Sequence, residues 1–498
     1  MGAVEEIERG APQNTLAPEK TTTDVSKHEG FYVEFAEGDS RDPAQYTRFR
    51  KWCITLTACA FSGMTAATSA SFSMGITSMI RDLRCTQFEA TLASAIFLLF
   101  VAIVPLFTSS FSEEFGRKPV YLATALFVFV FHIVTATAPS IQVVVFARAM
   151  SGAFGSTGAT LVGGSVADLW LPHERGFPMS AFAGASIAST GLGPVIGGFI
   201  EANPHLEWRW IQWVHAIVAG VYVLVVLFVM KETRSAVILR RLAKKKRKET
   251  GDQRYISRAE EQKQSLRTMI WISCTRPLYF LGTEPLVITF ALYIFFVWGV
   301  LFCLIDSVSH TFETTYGFDV SQTATVYLSL FIGTVLGFFA NMYQDVLYRK
   351  YVHRKGPEAR LYIACVAALA IPTGMFIFAW TSSPRIHWVV PAVGLMIFMF
   401  AAYVAYLVVF LYLADCYGTF ASSANAGQSL CRNFGGFVFP LFSQKMYNTL
   451  TYRWSNTLFG FIGVVMVPIP FVLYRYGAVL RRHSAASRKI LEAEAAKS

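Results

Sequence analysis

Residues 185–200 read ASIASTGLGPVIGGFI, a stretch that is apolar enough to cross a membrane and unusually rich in glycine. Small residues recur along it at helical spacing, and this face comprises Gly184, Ala188, Gly191, Val195 and Gly198. Such a face lets the backbone of a neighbouring helix approach closely. Pro194 cannot donate a backbone hydrogen bond to Thr190, so the helix should bend there. The pattern predicts a kinked membrane helix in a tight crossing, whose further role depends on the rest of the chain.

The composition indicates a membrane protein with many spans. Of the 498 residues, 54% are hydrophobic and only 15% are charged, whereas a soluble domain has about 25% charged residues. The net charge of +11 would suit nucleic acid, but the basic residues lie in loops beside apolar runs, where they report membrane topology. We therefore expect contact with a lipid bilayer and no nucleic-acid partner.

Sequence patterns for cofactors and catalysis are missing. None of the eight cysteines forms a C-x-x-C pair, and the histidines do not have metal-ligand spacing. The chain has no G-x-x-x-x-G-K-[ST] loop, so ATP should not power it directly. We expect no metal and no cofactor, and the sequence does not predict an enzyme.

Apolar runs of about 20 residues are candidate spans, and they fall into two sets of six. The first set is 52–76, 89–110, 119–138, 142–166, 177–200 and 210–230; the second is 284–310, 323–344, 360–380, 388–413, 419–443 and 455–475. The predicted fold is an all-α membrane protein with 12 transmembrane helices in two six-helix bundles, at 52–230 and 284–475.

Positive charge sets the predicted orientation. Most of the 43 lysine and arginine residues fall in the N-terminal tail 1–51, the central segment 231–283, the C-terminal tail 476–498 and the short loops on the same side. Such an excess marks the cytoplasmic side. Both termini and the central loop are therefore predicted to be cytoplasmic.

A short motif recurs in the two halves. An acid-x-x-x-Arg-Lys pattern follows the second span of each half; its members are Glu113, Arg117 and Lys118, with Gly116 between them, and then Asp345, Arg349 and Lys350. Repeated six-span halves are typical of secondary transporters. These residues could clamp a cytoplasmic gate in one state. Alternatively, the basic residues at these helix ends only set the orientation of the spans in the membrane.

The first of these loops resembles the loop between spans two and three of the major facilitator superfamily, with Ser109 in place of the usual glycine and Glu113 in place of the usual aspartate. The stretch at 185–200 resembles the span-five motif that marks antiporters in that superfamily, through Gly191, Gly193, Pro194, Gly197 and Gly198. Shorter matches, among them GSVADLW at 164–170 and DCYG at 415–418, are similar to the fungal twelve-span drug:proton antiporters, the group of polyamine, cycloheximide and fluconazole exporters.

Three polar residues inside the spans are candidates for proton coupling. Arg148 in span four matches an arginine that the resemblance ties to coupling, and an arginine at such depth needs a partner or a water-filled cavity. Asp306 stands where the family often has glutamate, and His310 follows it at i+4 on the same helix face. An adjacent imidazole could pass a proton on. Alternatively, both lie at the outer mouth in contact with solvent and take no part.

The candidate substrate contacts lie in spans seven, ten and eleven: Phe295, Trp298, Phe302, Tyr403, Tyr406, Gln428 and Arg432. The resemblance implies that spans seven and ten line the cavity. Aromatic faces suit flat or cationic molecules, although an aromatic stripe can also be plain packing. Arg432 could bind an anionic substrate, or it could lock helix ends through Asp415.

These features predict a proton-coupled secondary transporter that exports drugs, toxins or secondary metabolites by alternating access. Its partners are a small-molecule substrate and protons, and we expect a monomer in the plasma membrane, with the vacuolar membrane as the alternative. A dedicated exporter of one endogenous organic acid, glycolipid or toxin stays open. Two further alternatives also stay open. One is a polyamine transporter, which the scarcity of acidic residues in the spans disfavours, and the other is a transporter-like ligand sensor.

Overall fold

A computed structural model describes residues 31–36, 38–171, 174–261 and 265–483. The predictions for 1–30 and 484–498 fall outside these residues. The first half contains α1 (Arg48–Ser71), α2 (Ile76–Leu83), α3 (Gln87–Ile103), α4 (Pro105–Phe115), α5 (Arg117–Ala136), α6 (Ile141–Leu169), α7 (Gly176–Glu201) and α8 (Glu207–Val229). The middle contains α9 (Ser235–Thr250), α10 (Arg258–Glu261) and α11 (Leu266–Thr283). The second half contains α12 (Pro285–Tyr316), α13 (Val320–Val326), α14 (Leu328–Lys355), α15 (Tyr362–Thr381), α16 (Val389–Tyr417), α17 (Ala421–Met466) and α18 (Pro468–His483).

The described part of the chain holds nine segments that are long and apolar enough to cross a membrane. Two of them, Val320–Thr381 and Ala421–Arg481, are 62 and 61 residues long and each contains more than one helix. The chain breaks inside α17 at Thr451, whose backbone is not helical (φ 67°, ψ 158°). Helix α6 is 29 residues long but is not among the nine. The structure is therefore an all-helical membrane fold, as predicted.

The stretch at 185–200 lies in α7, which packs between the two halves. On one face, a Cβ atom at Gly193 would lie 2.6 Å from the carbonyl oxygen of Ala67 in α1. On another face, a Cβ atom at Gly191 would lie 2.8 Å from the backbone nitrogen of Phe331 in α14. Real Cβ atoms do not come this close, so glycine is required for both approaches. The predicted tight crossing is confirmed, and it involves both halves at once.

The predicted central loop is more structured than its charge suggested. Three helices lie in it, and its strand β2 (Tyr255–Ile256) pairs in parallel with β1 (Phe31–Tyr32) from the N-terminal tail. An ion pair of 2.8 Å between Arg247 and Glu260 holds the segment beside β2, and the hydrogen bond from Arg247 lowers the pKa of Glu260. We call this two-stranded pair with its ion pair the tail clamp. The last helix also continues to His483, past the predicted boundary at 475.

Candidate functional site: a cavity between the two halves

A cavity of about 70 Å³ lies in the middle of the molecule, and both halves contribute to its walls. This is room for a few water molecules, each of which needs about 10–15 Å³ on the same measure. The polar and aromatic residues that line it are Ser62, Thr65, Ser69, Phe97, Phe182, Ser186, Thr190, Trp298, Phe302, Tyr406, Arg432 and Asn433. In this conformation the cavity is too small for a drug-sized molecule, so binding one requires the halves to move apart.

The wall from the second half is aromatic and carries one cation. Arg432 is only 7% exposed, and its guanidinium carbon lies 5.0 Å from the ring centre of Trp298 and 4.8 Å from that of Tyr406. Cation–π contacts are worth about 0.5–2 kcal/mol, less than the roughly 2.5–3.5 kcal/mol that insertion scales assign to an arginine at mid-membrane. Its Nε atom has no hydrogen-bond partner among the described residues. The predicted alternative, a lock through Asp415, does not form here, because Asp415 is bonded to Arg360.

Four of the seven predicted substrate contacts line the cavity: Trp298, Phe302, Tyr406 and Arg432. The other three are packed outside its walls. The ring of Phe295 packs edge-on against Phe439 at 5.5 Å, and the buried Tyr403 donates a hydrogen bond to the Ser180 carbonyl oxygen (3.4 Å). Gln428 is fully buried, and neither its Nε2 nor its Oε1 has a partner among the described side chains.

The wall from the first half is made of hydroxyl groups that the sequence did not single out. Ser62 of α1 is hydrogen-bonded to Ser186 of α7, and Thr65 donates to the Gly155 carbonyl oxygen of α6 (3.1 Å). These bonds join three helices around the cavity. Serine and threonine are common in membrane helices, so a single sequence contains no signal that separates these from the others.

Arg148 is fully buried in the first half, and it forms no ion pair in the part of the chain that the structure describes. It lies between the rings of Phe72 and Phe97, at 4.3 and 4.5 Å from their centres. Its Nε and Nη1 donate to the carbonyl oxygens of Ala93 (3.3 Å) and Thr68 (3.2 Å). Its Nη2 has no partner among the described residues. The sequence predicted the depth of this arginine but not its aromatic surroundings.

Two buried histidines form a polar cluster beside Arg148 that sequence reasoning missed. The rings of His132 and His215 stack at 5.4 Å. His215 is hydrogen-bonded through Nε2 to Ser71 (2.7 Å) and through Nδ1 to Thr68 (3.3 Å). His132 is hydrogen-bonded to Gln212 (3.1 Å). The cluster ties together α1, α5 and α8, and no spacing rule could have revealed it because the histidines are far apart in the sequence.

Asp306 and His310 lie in α12 near the end of the helix. Asp306 is partly buried, and no hydrogen bond or ion pair to it is found among the described residues. His310 is exposed, and its ring stacks on that of Tyr452 at 4.5 Å. The two side chains share the predicted helix, but no hydrogen bond joins them in this conformation. A direct proton transfer between them therefore has no support in the geometry.

The first predicted gate loop forms a network around Arg117. Its backbone nitrogen donates to Glu232 (2.8 Å), its Nε to Asp168 (3.1 Å) and its Nη1 to Ser112 (2.8 Å). Gly116 permits this turn, since its φ is +99° and a Cβ atom would collide with Glu232. The acids that meet Arg117 are thus Asp168 and Glu232. The predicted acid Glu113 is exposed, and Lys118 donates to the Leu227 carbonyl oxygen (3.0 Å).

The corresponding network in the second half uses a different basic residue. Asp415 accepts hydrogen bonds from Arg360 and from the hydroxyl of Tyr348 (3.0 Å). Asp345 lies 3.9 Å from Arg360, whereas Arg349 and Lys350 are exposed. Of the two acids in the repeated motif, Asp345 therefore lies in the network of its half and Glu113 does not. The buried cation of the second half is Arg360, ten residues after Lys350.

Comparison with known proteins identifies one protein family that matches most of the chain. The model of the Major Facilitator Superfamily matches residues 56–440. The chain is 33% identical to the MFS-type transporter oryN of Aspergillus oryzae, over 85% of this chain and 84% of that protein. It is 31% identical to the multidrug transporter mdrA of Aspergillus fumigatus, over 93% of this chain and 77% of that protein. It is 30% identical to the efflux pump FUBT of Fusarium oxysporum, over 93% of this chain and 79% of that protein.

A solved structure shares the fold. The xylose transporter XylE from E. coli, in a partially occluded inward open conformation, superposes with a TM-score of 0.60. The alignment covers 86% of this chain and 99% of the other, at 16% sequence identity. Identity this low supports the fold and carries no information on substrate.

Proposed function

Because the chain belongs to the Major Facilitator Superfamily, we propose that this membrane transporter exports small organic molecules in exchange for protons, by alternating access. The observation that carries the proposal is the central cavity, whose hydroxyl wall comes from one half and whose aromatic wall comes from the other. A site built in this way opens to either side when the halves rock.

We infer twelve spans with both termini in the cytoplasm. The nine candidate segments support this count when the two long ones are divided at their helix breaks and α6 is added. The buried Arg148 lowers the apolarity of α6, which explains why composition alone does not select it. The excess of lysine and arginine in the tails and the central segment supports the orientation.

Proton coupling is assigned to Asp306 and Arg148, with His310 at the outer end. Asp306 has no ion-pair partner among the described residues, so its charge can change without breaking one. Arg148 is a buried cation that bonds to backbone carbonyl oxygens and forms no ion pair within the described residues. Its energy therefore depends on the charge and water around it, which is the property a coupling residue needs.

The glycine face of α7 is the proposed sliding surface between the halves. It meets α14 at Gly191, while Gly193 and Gly197 meet α1. Pro194 removes a backbone hydrogen bond of α7 between Gly193 and Gly197, so the helix can bend there while it stays in contact with both halves. The ion-pair networks around Arg117 and Arg360 close the proposed cytoplasmic gate and would have to loosen when it opens.

Export and a broad substrate range are supported by relatives whose names describe an efflux pump and a multidrug transporter. We place the protein in the plasma membrane as a monomer, with the vacuolar membrane as the alternative. A polyamine substrate is disfavoured, because no carboxylate is among the residues that line the cavity.

The test is accumulation of dyes in a fungal host that lacks its own exporters. Rhodamine 6G, Nile red and fluorescein represent cationic, neutral and anionic molecules. We expect the protein to lower the cellular content of at least one dye, and a protonophore to restore it. Equal dye content with and without the protein would contradict export, and export that survives the protonophore would contradict proton coupling. Binding of a dye by the purified protein without any export would identify a sensor.

A further inference from the structure

We propose that the cavity selects organic anions, and that Arg432 binds the anionic group while Trp298 and Tyr406 hold a planar body. This inference rests on the proposed function in one respect, which is that the transported molecule occupies this cavity. It adds the charge of the substrate, which neither the fold nor the family decides.

The charge of the cavity favours an anion. Arg432 is the sole charged side chain among the residues that line the cavity. It is more than nine-tenths buried, its Nε has no hydrogen-bond partner, and no carboxylate is paired with it in the described part of the chain. Asp415, the acid proposed as its structural partner, is bonded to Arg360 and Tyr348. A buried guanidinium without a counter-ion attracts an anion that can reach it.

The shape of the pocket around that charge suits a planar molecule. The guanidinium lies against the faces of Trp298 and Tyr406, whose ring centres are 5.4 Å apart. These contacts fix the guanidinium without using its N–H groups, which stay available for oxygen atoms. Phe302 continues the aromatic surface. A flat ring attached to the anionic group would therefore stack on this wall while its oxygens meet Arg432.

The opposite wall carries no acid. The first half contributes hydroxyl groups, namely Ser62, Thr65, Ser69, Ser186 and Thr190. Thr65, Ser69 and Thr190 donate to backbone carbonyl oxygens, whereas the hydrogen-bonded Ser62–Ser186 pair keeps one hydroxyl hydrogen that can be donated to an oxygen of an anion. A cationic ligand would meet Arg432 with no carboxylate to offset the repulsion, and such a mismatch is how binding sites exclude the wrong charge.

The experiment measures binding alone, by equilibrium dialysis of the full-length protein in lipid nanodiscs at pH 7. The probes are naphthalene-2-sulfonate, which is an anion at this pH, its neutral analogue naphthalene-2-sulfonamide, and the cation 2-naphthylmethylammonium. We expect the sulfonate to bind at least about tenfold more tightly than the sulfonamide, because hydrogen bonds to a charged group are the stronger ones, and the cation to bind most weakly.

Substitutions separate Arg432 from the rest of the molecule. In Arg432→Gln the preference for the sulfonate should disappear while the affinity for the sulfonamide is kept, which also verifies that the variant is folded. Arg453→Gln removes an exposed arginine that stacks on Trp380 outside this cavity, and it should leave the preference unchanged. Equal binding of sulfonate and sulfonamide, binding of neither, or an unchanged preference in Arg432→Gln would overturn the inference. Because no flux is measured, a failure of export in cells is a separate result.

Discussion

The buried arginines of this protein fall into two kinds. Arg117 and Arg360 lie at helix ends and are paired with Asp168 and Asp415. Arg148 and Arg432 lie within the helical core and pack on aromatic faces instead, and Arg148 also donates to backbone carbonyl oxygens. The paired arginines fix the structure, because each charge is already matched. We propose that the unpaired ones respond to charge that arrives and leaves, as protons and substrates do.

Replacing Arg148 should therefore affect transport more than stability. We expect Arg148→Met to fold with a thermal stability equal to or above that of the wild type, since an unpaired buried charge is replaced by an apolar chain. Proton-coupled flux should be lost. Thermal unfolding in detergent and flux in proteoliposomes measure the two effects, and normal flux in this variant would refute the assigned role.

Arg117→Met is the matched control for this prediction. It removes the guanidinium that pairs with Asp168 at 3.1 Å and leaves only Arg234 at 3.4 Å, and removing one partner of a buried pair costs on the order of 3 kcal/mol. The melting temperature should fall clearly below that of Arg148→Met. If both variants are equally stable, the distinction between paired and unpaired arginines fails.

At the scale of single elements, α7 is closely packed against both halves. The backbone of α14 would clash with a Cβ atom at Gly191, whereas a Cβ atom at Gly163 in α6 would meet only the Met179 methyl at 3.7 Å. Overpacking costs about 1–3 kcal/mol, and here the cost would fall on the conformations in which α7 and α14 touch. We expect Gly191→Ala to reduce flux about tenfold or more at near-normal expression.

The same substitution at Gly163 provides the comparison. Gly163→Ala should keep normal flux, because the added methyl group has space and alanine favours the helix. Flux and surface expression are measured together for both variants. Equal losses of flux and expression in Gly191→Ala would mean that the α7 contact serves only to pack the fold and has no separate role in transport.

The tail clamp should loosen in acid. Since the pKa of Glu260 is lowered by Arg247 in the folded protein, the ion pair stabilises the clamp above the ordinary value of 4.5. That stabilisation is lost as the pH falls below 4.5 and through the folded pKa. Hydrogen exchange of residues 31–36 measures it, because the Phe31 and Val33 amides donate to the Arg254 and Ile256 carbonyl oxygens at 2.9 Å.

Two variants test whether the Arg247–Glu260 ion pair causes this loosening of the tail clamp in acid. Glu260→Gln should lower the protection of these amides at pH 7 and remove most of its dependence on pH. Glu249→Gln, which removes an exposed acid beside Lys245, should change neither. Protection that stays constant in Glu260→Gln would mean that the strand pairing alone holds the tail.

At the scale of the whole molecule, α4 of the first half contacts α11, which packs on α17 of the second half. Ser110 and Ser273 are hydrogen-bonded across this contact at 2.7 Å. We expect Ser110→Cys with Ser273→Cys, in a background without the eight native cysteines, to stop flux on oxidation and regain it on reduction. Ser273→Cys alone should be insensitive. A cross-linked protein with full flux would contradict a rocking motion at this contact.

The sequence predicted the helical fold and the acid Asp345 of the second network, because apolar length and charge position are local properties, but its predicted acid Glu113 is exposed. It also indicated four residues of the cavity wall. Arg432 stood out because arginine is rare within spans, whereas the aromatic residues were selected by the resemblance that places spans seven and ten at the cavity. It did not predict the partners of Arg117 and Asp415, the hydroxyl wall or the His132–His215 stack. Each of these depends on which helices meet, and that is set by packing between segments far apart in the chain.

The central claim is exchange of protons for an organic molecule, and uphill transport tests it most directly. Purified protein in proteoliposomes with an acidic lumen should concentrate the dye that it exports from cells above the external level, and nigericin should abolish this. Asp306→Asn should bind the dye and fail to concentrate it. Accumulation that is the same without a pH gradient, or undiminished in Asp306→Asn, would contradict the account.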